Sequence, residues 1–316
     1  MPVAMTSARD PHPTTVGRFA PSPTGPLHWG SLVAAVGSYC LARSGGGRWL
    51  VRIDDLDTPR VVAGAADEIL RTLERLGMEW DGEIVWQSRR TGTYAAAVEE
   101  LRAQGMVFAC GCSRKEILAS APQASEEGPV YPGTCRAGLP PGHVERALRL
   151  RVTSSPVVFV DGVFGRCVQN LAAEVGDFVM RRADGIFSYQ LACVVDDAAA
   201  GINQVVRGAD LLGSTPRQIY LYSCLGLTVP AYLHLPLALA VNGEKLSKRH
   251  GDVADLALHS GGALIRDTLL FLGQEPPPEL TGASAAEVLA WGCANFQISA
   301  IPALARVWGV PTESAS

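Results

Sequence analysis

The chain has 316 residues, a formal net charge of −4, 47% hydrophobic residues and 18% charged residues. This composition is typical of folded globular proteins and differs from that of disordered or collagen-like chains. No apolar run reaches the roughly 18 residues that a membrane span needs, and residues 1–15 have neither a basic start nor an apolar centre. We therefore expect a cytoplasmic protein of one large domain or two smaller ones, with no membrane partner.

The first third of the chain alternates predicted strands with predicted helices. A strand over 16–20 leads through a turn rich in Pro and Gly into a helix over 31–42. The same order repeats, with strands predicted over 49–53 and 84–86 and helices over 61–76 and 91–104. Strands that alternate with helices of this length predict an α/β fold, with a parallel sheet covered by helices on both faces.

The alternation stops near residue 106. Residues 110–142 are rich in Pro, Gly, Ser and Cys, and strands predicted over 148–152 and 157–160 follow them. We interpret residues 106–170 as a subdomain inserted into the sheet domain, whose first half is residues 1–105.

The alternating pattern is predicted to resume after residue 170. Its elements are a strand over 178–180, a helix over 190–197, a strand over 204–207 and a helix over 215–225. They make residues 171–240 the second half of the sheet domain. Residues 241–316 then form a lysine-containing loop and a short helical tail, with two helices at most, over 262–272 and 285–295.

Residues 18–31, RFAPSPTGPLHWGS, lie at the first junction between strand and helix. The chain has no GxxxxGK[ST] or GxGxxG motif, but the glycines here let a substrate approach the backbone closely. The helix that starts near Gly30 points its free N–H groups at the same space. His28 could donate a hydrogen bond to a phosphoryl oxygen as negative charge develops there. Taken alone, His28 could equally be a structural residue.

Lysine is scarce in this chain. Only Lys115, Lys245 and Lys248 occur, and the last two stand in the stretch KLSKR at 245–249. A position that keeps lysine in an arginine-rich chain indicates a need for a compact ammonium group. A mobile lysine can offset the charge on a departing pyrophosphate without covalent chemistry. Residues 18–31 followed by this lysine loop therefore predict a nucleotide site.

The two motifs resemble the signature motifs of class I aminoacyl-tRNA synthetases, and residues 18–31 resemble the glutamyl and glutaminyl branch of that family. The resemblance covers residues 16–260 and implies a Rossmann-like catalytic domain, an ATP-dependent ligase with Mg²⁺, and conversion of L-glutamate into glutamyl-adenylate. It implies contacts to ATP by His28, Gly30, Ser31 and Lys248. His28 would stabilise the transition state at the α-phosphate, and Lys248, supported by Lys245, would hold the leaving pyrophosphate.

Glutamate carries two carboxylates and an ammonium group, so its pocket needs at least one fixed guanidinium and one anion. Arg18 on the first strand and Arg207 at the end of a later strand lie at the sheet edge where ligands bind in open α/β folds. The resemblance assigns the glutamate contacts to Arg18, Phe19, Ala20, Pro21, Ser22, an acidic residue after the second strand, Tyr189 and Arg207.

Asp54 is the acidic residue after the second strand. The family has Arg-Ile-Glu-Asp at this place, and this chain has Arg-Ile-Asp-Asp at 52–55. Asp54 keeps the charge expected to face the substrate ammonium but is one methylene shorter, which we expect to shift the glutamate affinity by about 1 kcal/mol. The alternative is a solvated acidic turn in which Asp55 or Asp57 pairs with Arg60.

The eight cysteines are too few for a disulfide scaffold and are expected to be reduced thiols or metal ligands. Cys110, Cys112 and Cys135 bring three thiols into a segment with little core of its own, which a structural Zn²⁺ would stabilise. By its chemistry His143 is a candidate for the fourth ligand, whereas the resemblance points to the phenol of Tyr131. The alternative is three reduced cysteines without a metal.

The acceptor is the least determined part of the predicted reaction. A full-length glutamyl-tRNA synthetase continues into a helical domain that reads the anticodon, whereas 67 residues follow Arg249 here, and we expect no anticodon-binding domain. The resemblance is closest to a short, monomeric paralogue that transfers glutamate to the cyclopentenediol of queuosine, at the wobble position of tRNA(Asp). Two alternatives stay open: a truncated synthetase that charges the 3′ end of tRNA(Glu), and a catalytically silent paralogue that binds tRNA or glutamate.

The net charge of −4 argues against a basic surface that covers the whole protein, so tRNA binding is expected to use a local patch. The densest basic run is Arg136, Arg146, Arg149 and Arg151, in or beside the inserted subdomain. We expect this run to contact tRNA phosphates, and the alternative is a solvated face without a partner.

Overall fold

The computed structural model describes residues 14–120, 124–125, 128–239, 256, 259–304 and 306–307. Its strands are β1 Val16–Phe19, β2 Arg48–Ile53, β3 Val85–Trp86, β4 Val107–Cys110, β5 Ala124–Ser125, β6 Gly128–Pro129, β7 Ala147–Leu150, β8 Val157–Asp161, β9 Gly165–Gln169, β10 Phe178–Arg181, β11 Gln204–Gly208, β12 Ala231–Leu235, β13 Ala238–Leu239 and β14 Arg306–Val307. Its α-helices are α1 Trp29–Ser44, α2 Ala65–Arg75, α3 Thr91–Ala103, α4 Arg114–Ser120, α5 Leu171–Glu174, α6 Tyr189–Ala199, α7 Thr215–Cys224, α8 Gly261–Phe271 and α9 Ala285–Asn295.

Parallel strand pairs form the centre of the fold. β1 pairs with β2, β2 with β3 and β11 with β12, all in parallel. β1 and β11 lie side by side, and the N–H of Asn203, just before β11, donates to the carbonyl of Val16 at 3.1 Å. The sheet β3-β2-β1 is thus packed beside the parallel pair β11-β12, which confirms the predicted α/β fold with parallel strands.

Helix α1 connects this sheet to the helices near the end of the chain. Its residues Leu32, Val36 and Cys40 are fully buried, in one core with Trp49 of β2 and Leu235 of β12. Helix α1 also packs against helices α8 and α9. Because α1 is held over its whole length, its first turn has a fixed place at the edge of the sheet.

A second sheet is antiparallel and has the order β10-β7-β4. The strand predicted over 178–180 was expected to rejoin the alternating parallel pattern, but β10 pairs antiparallel with β7, with Phe178 opposite Leu150. The two strands predicted for the inserted subdomain also separate. β7 lies in this antiparallel sheet, whereas β8 pairs with β9 and, through Asp161, with Tyr232 of β12.

The residues just before helix α2 determine where that helix begins. Helix α2 begins later than predicted, because Thr58–Arg60 form a separate 3₁₀ turn and Gly64, just before the helix, has a φ of +79° in the left-handed region. The two predicted tail helices are present as α8 and α9. Among the described residues, no helix is both long and apolar enough to span a membrane.

Candidate active site

A cavity of about 620 Å³ opens at the carboxyl ends of β1 and β11, beside the first turn of α1. Ten residues that the sequence assigned to the nucleotide and glutamate sites line it: Arg18, Phe19, Ala20, Pro21, Ser22, His28, Gly30, Ser31, Tyr189 and Arg207. The predicted contacts of Lys245 and Lys248 lie outside the described residues. One cavity thus brings together the two predicted sites, which are far apart in the chain.

His28 caps α1 and faces the cavity at the same time. Its Nδ1 accepts a hydrogen bond from the backbone N–H of Ser31 at 3.3 Å, and its Nε2 lies 3.1 Å from Oγ of Ser31. An Nδ1 that accepts leaves the ring hydrogen on Nε2 in the neutral imidazole. The structural and the catalytic interpretations of His28 are therefore compatible, because the cap fixes the ring beside the first turn of α1 at the edge of the cavity.

A network of buried ion pairs lies behind the cavity. Arg18 Nε is 3.2 Å from a carboxylate oxygen of Asp197, which also pairs with Nη1 of Arg52. Burial alone would raise the pKa of Asp197, but the two guanidinium groups outweigh burial and lower it to about 2. Arg18 is thus held rigidly from the side away from the cavity.

Asp54 belongs to this network and is not among the residues that line the cavity. Its carboxylate oxygens lie 2.6 and 3.3 Å from Nε and Nη2 of Arg52, and burial raises its pKa. The contact of Asp54 with the substrate ammonium stays a prediction. The alternative of a solvated turn does not describe Asp54 or Asp55, which are both buried, but it does describe Asp57, which is 3.8 Å from Arg60 in an exposed pair.

Arg207, at the end of β11, differs from Arg18 in its partners. Its Nη1 donates to Oη of Tyr189 at 3.2 Å, and its Nη2 donates to Oγ1 of Thr215 at 2.8 Å. Its Nε donates to Nε2 of His234 at 3.1 Å. These partners are neutral groups, so among the described residues no carboxylate hydrogen-bonds to this guanidinium. Arg207 therefore offers its positive charge to a ligand in the cavity.

Sequence reasoning did not identify His234, nor Asp161, whose Oδ2 lies 2.6 Å from Nδ1 of His234. Neither residue belongs to a short motif. The only signal would have been the strand β12, which was not predicted and which places His234 in register with Arg207 of β11.

Tyr189 is held by the start of α6. The hydroxyl of Ser188, which precedes the helix, accepts from the backbone N–H of Leu191 at 3.4 Å, as an N-cap does. Burial raises the pKa of the Tyr189 phenol, which therefore stays protonated at neutral pH. It can accept from Arg207 and still donate its own hydrogen to a ligand.

The three cysteines of the inserted segment form a compact cluster. The Sγ atoms of Cys110, Cys112 and Cys135 all lie within 4.8 Å of one another. Oη of Tyr131 is 3.5 Å from Sγ of Cys110 and 3.9 Å from Sγ of Cys112. Zn²⁺ bound by thiolates at about 2.3 Å in tetrahedral geometry needs sulfur atoms spaced by nearly 4 Å, so these donors fit a zinc ion.

The thiols of the cluster differ in pKa, because burial and the neighbouring thiols raise that of Cys112 to about 11. Burial opposes ionisation of Cys110, but hydrogen bonds from Tyr131 and Arg149 outweigh burial and lower its pKa. His143, the alternative fourth ligand, does not belong to the cluster: its Nε2 lies 4.0 Å from Oε1 of Glu116. Of the two candidates, Tyr131 is the one that the structure places beside the thiols.

A second cavity, of about 660 Å³, lies between the cysteine cluster and the first cavity. Cys112, Tyr131 and Arg149 line one part of it, and Gln190 lines another. Tyr189 lines both cavities. The two cavities thus border each other at the side chain of Tyr189.

Arg149 corrects the predicted phosphate-binding run. Its side chain is buried, with the guanidinium 3.9 Å from the ring centroid of Tyr131 and Nη1 donating to the carbonyl of Asp177 at 2.7 Å. Arg146 is exposed, and Arg136 and Arg151 bond to backbone carbonyls. The four arginines therefore do not form one solvent-exposed patch.

Comparison with known proteins agrees with this geometry. Residues 14–272 match the family model of the catalytic domain of class I tRNA synthetases (E and Q). The glutamyl-Q tRNA(Asp) synthetase of Geobacter sulfurreducens is 56% identical over 301 residues, which are 93% of this chain and 96% of that protein. The protein of the same name from Dechloromonas aromatica is 56% identical over 287 residues, with 90% and 95% covered. The chain belongs to the glutamyl-Q tRNA(Asp) synthetase family.

The structure of this chain is similar to solved structures of glutamyl-tRNA synthetases. A glutamate tRNA ligase from Elizabethkingia meningosepticum, in complex with its amino acid, superposes with a TM-score of 0.77 at 25% identity. The match covers 94% of this chain and 67% of the ligase. The glutamate-tRNA synthetase of Elizabethkingia anophelis gives a TM-score of 0.75 at 26% identity, with 92% and 67% covered. The class I synthetase fold predicted from the two motifs is thus confirmed.

Proposed function

We propose that this protein is an ATP-dependent ligase that activates L-glutamate without tRNA and transfers it to the cyclopentenediol of queuosine in tRNA(Asp). The observation that carries the proposal is the single cavity that both Arg207 and His28 line, with no carboxylate hydrogen-bonded to Arg207 among the described residues. The guanidinium of Arg207 suits a carboxylate, and the start of α1 beside His28 suits a phosphate. The names of the relatives supply the identity of the acceptor.

In the first step, a carboxylate oxygen of glutamate attacks the α-phosphorus of ATP, and the bond to pyrophosphate breaks. Glutamate would be held by Arg18, Phe19, Ala20, Pro21, Ser22, Tyr189 and Arg207, with Asp54 completing the charge around its ammonium group. His28, Gly30 and Ser31 would hold the α-phosphate, and Nε2–H of His28, which lies 3.1 Å from Oγ of Ser31, would turn to the oxygen that gains charge. Lys248, supported by Lys245, would hold the departing pyrophosphate. Mg²⁺ would enter with ATP and offset phosphate charge.

In the second step, a hydroxyl of the acceptor attacks the glutamyl carbonyl carbon and loses its proton, and AMP leaves with the bonding electron pair. The acceptor must reach the glutamate site from outside, and the second cavity borders that site at Tyr189. We propose that the queuosine nucleotide enters there. The basic side chains of Arg114, Arg182 and Arg217 line the same cavity and would attract the tRNA backbone.

The cysteine cluster would hold one structural Zn²⁺ through Cys110, Cys112, Cys135 and Tyr131. Bound zinc closes the segment from β4 to Cys135 and stabilises its fold. We propose that residues 106–170 are a zinc-bearing insertion between two halves of the catalytic domain, at 1–105 and 171–240, and that residues 241–316 carry the lysine loop and the helical tail. We further propose that the protein acts as a monomer in the cytoplasm, where its substrates occur.

Two measurements test the reaction. We expect exchange between pyrophosphate and ATP that depends on glutamate and needs no tRNA. Absence of this exchange would exclude an active enzyme and favour a catalytically silent paralogue. Periodate oxidation then identifies the acceptor, because an esterified diol in queuosine resists periodate. Periodate-sensitive queuosine combined with glutamate on the 3′ end of tRNA(Glu) would favour the truncated synthetase instead.

A further inference from the structure

Arg207 is the last member of a buried chain of three side chains. Its Nε donates to Nε2 of His234 at 3.1 Å, and Nδ1 of His234 lies 2.6 Å from Oδ2 of Asp161. His234 is fully buried, and Asp161 and Arg207 are 2% and 4% exposed. Side chains buried to this degree keep one geometry, because no water replaces a lost partner.

The chain determines where the hydrogen on the imidazole lies. Nε of arginine is always a donor, so Nε2 of His234 must accept, and the single ring hydrogen is on Nδ1. Nδ1–H then donates to the carboxylate of Asp161, and this hydrogen bond fixes the tautomer of the ring. Oδ1 of Asp161 accepts from the backbone N–H groups of Val163 and Phe164 at 3.0 Å, which fixes the carboxylate itself.

The charged groups around His234 come from three strands, and those on two of them favour the neutral ring. Arg207 faces it from β11, and Arg18 on β1 adds a second positive charge nearby. Thr215 of α7 places Oγ1 3.1 Å from Nε2, and the ring of Tyr232 stacks at 6.2 Å with an angle of 8° between the planes. Burial and Arg207 lower the pKa of His234, and only Asp161 opposes them.

We propose that His234, oriented by Asp161, is a positioning residue that fixes the guanidinium of Arg207 toward Tyr189 and the glutamate cavity. The inference rests on the proposed function, since it gives Arg207 a substrate carboxylate to bind. Neither His234 nor Asp161 lines the cavity, so both act through Arg207. A ring hydrogen on Nε2 would face Nε–H of Arg207, donor against donor, and would turn the guanidinium away.

Asp161→Asn is the sharpest variant because it keeps the size of the side chain. The amide oxygen can still accept from the N–H groups of Val163 and Phe164, whereas the amide NH₂ faces Nδ1 and forces the ring hydrogen onto Nε2. We expect the KM for glutamate in the tRNA-free exchange assay to rise about 10- to 100-fold. The KM for ATP and kcat at saturating glutamate should change by less than about threefold.

Variants at position 234 provide the complementary test. In His234→Gln the amide oxygen can accept from Arg207, so this variant should keep most of the wild-type affinity for glutamate. His234→Leu has no acceptor and should behave like Asp161→Asn. In the wild type, the KM for glutamate should rise as the pH falls and His234 gains a proton. In His234→Gln that rise should be absent. His143→Gln, which changes a histidine outside the glutamate cavity, is the control and should keep the wild-type pH profile.

A wild-type KM for glutamate in Asp161→Asn would overturn the inference. So would a joint rise in the KM values for glutamate and ATP, which is the sign of a merely structural role. Calorimetric titration of each protein with glutamate separates the two proposals, because it needs no turnover. Glutamate binding without exchange would contradict the proposed function alone, and the variants would still test the chain from Asp161 to Arg207. No glutamate binding by the wild type would overturn both.

Discussion

The Nε atom of Arg18 lies 3.2 and 3.3 Å from the two carboxylate oxygens of Asp197, although 179 residues separate them in the chain. Asp197 stands on α6, the helix that begins with Tyr189. The pair therefore joins the end of β1 to the helix that carries another residue of the cavity. Breaking it should affect the fold as well as the site.

Asp197→Asn should destabilise the protein at neutral pH by about 3–5 kcal/mol, because it removes the carboxylate to which Arg18 is paired, while Arg52 keeps its pair with Asp54. Urea unfolding followed by circular dichroism measures this loss. Asp184→Asn removes an exposed partner of Arg182 and is the matched control, with an expected change below about 1 kcal/mol. Equal stabilities of the two variants would contradict a structural role for the Arg18–Asp197 pair.

The same carboxylate should limit stability in acid. Its folded pKa of about 2 is below the usual value of roughly 3.9, so the unfolded chain binds a proton before the folded chain does. The contribution of Asp197 is therefore complete above pH 4 and is lost as the pH falls toward 2. Unfolding midpoints measured between pH 5 and 2 should fall less steeply in Asp197→Asn than in the wild type, and parallel curves would refute this assignment.

Tyr189→Phe should weaken glutamate binding moderately. The variant removes the hydroxyl that accepts from Arg207 at 3.2 Å, and we expect the KM for glutamate to rise by about 2- to 10-fold. Tyr222→Phe is the control. Tyr222 is more deeply buried than Tyr189, and its hydroxyl has no hydrogen-bond partner in the described part of the chain. Similar kinetics for the two variants would show that the hydroxyl of Tyr189 does not support Arg207.

Zinc should be present at one ion per chain in protein purified without a chelator, as elemental analysis can show. Cys112→Ser should lose most of the metal and should increase hydrogen exchange in residues 110–150, while β1 and β2 stay protected. Cys224→Ser, which changes a half-buried cysteine on α7 outside the cluster, should keep the full zinc content. Metal-free wild-type protein would eliminate the zinc site.

Lys248→Ala should slow adenylate formation by about 100-fold while leaving the KM for glutamate nearly unchanged, because the ammonium group is needed only as pyrophosphate departs. Pre-steady-state release of pyrophosphate measures the rate. Lys115→Ala, at an exposed position on α4, should retain wild-type rates. Equal losses in adenylate formation and glutamate binding would contradict the leaving-group role of Lys248.

Local sequence predicted those parts of the fold that depend on local chemistry. The helix predicted over 91–104 is α3 within one residue, and α9 begins where Ser284 and Glu287 form a capping box. The cavity was predictable for a related reason. Many of its residues come from the continuous stretch 18–31, so one motif located them together.

Contacts between distant segments could not be predicted in the same way. No spacing rule connects Asp161 with His234, or Arg18 with Asp197, since their proximity depends on strand order. Arg149 shows a related difficulty. Its place in an arginine-rich run suggested exposure, but β7 is the central strand of its sheet and Tyr131 covers the guanidinium.

The buried ion pairs behind the cavity have a consequence for selectivity. Three arginines and three aspartates take part: Arg18, Arg52, Arg90, Asp54, Asp196 and Asp197. The formal charges of these six residues sum to zero, so together they do not attract anions in general to the cavity. Arg207 then adds one positive charge that this group does not neutralise. A ligand with a net charge of −1, such as glutamate, matches that charge, whereas the isosteric neutral glutamine leaves it buried and unpaired.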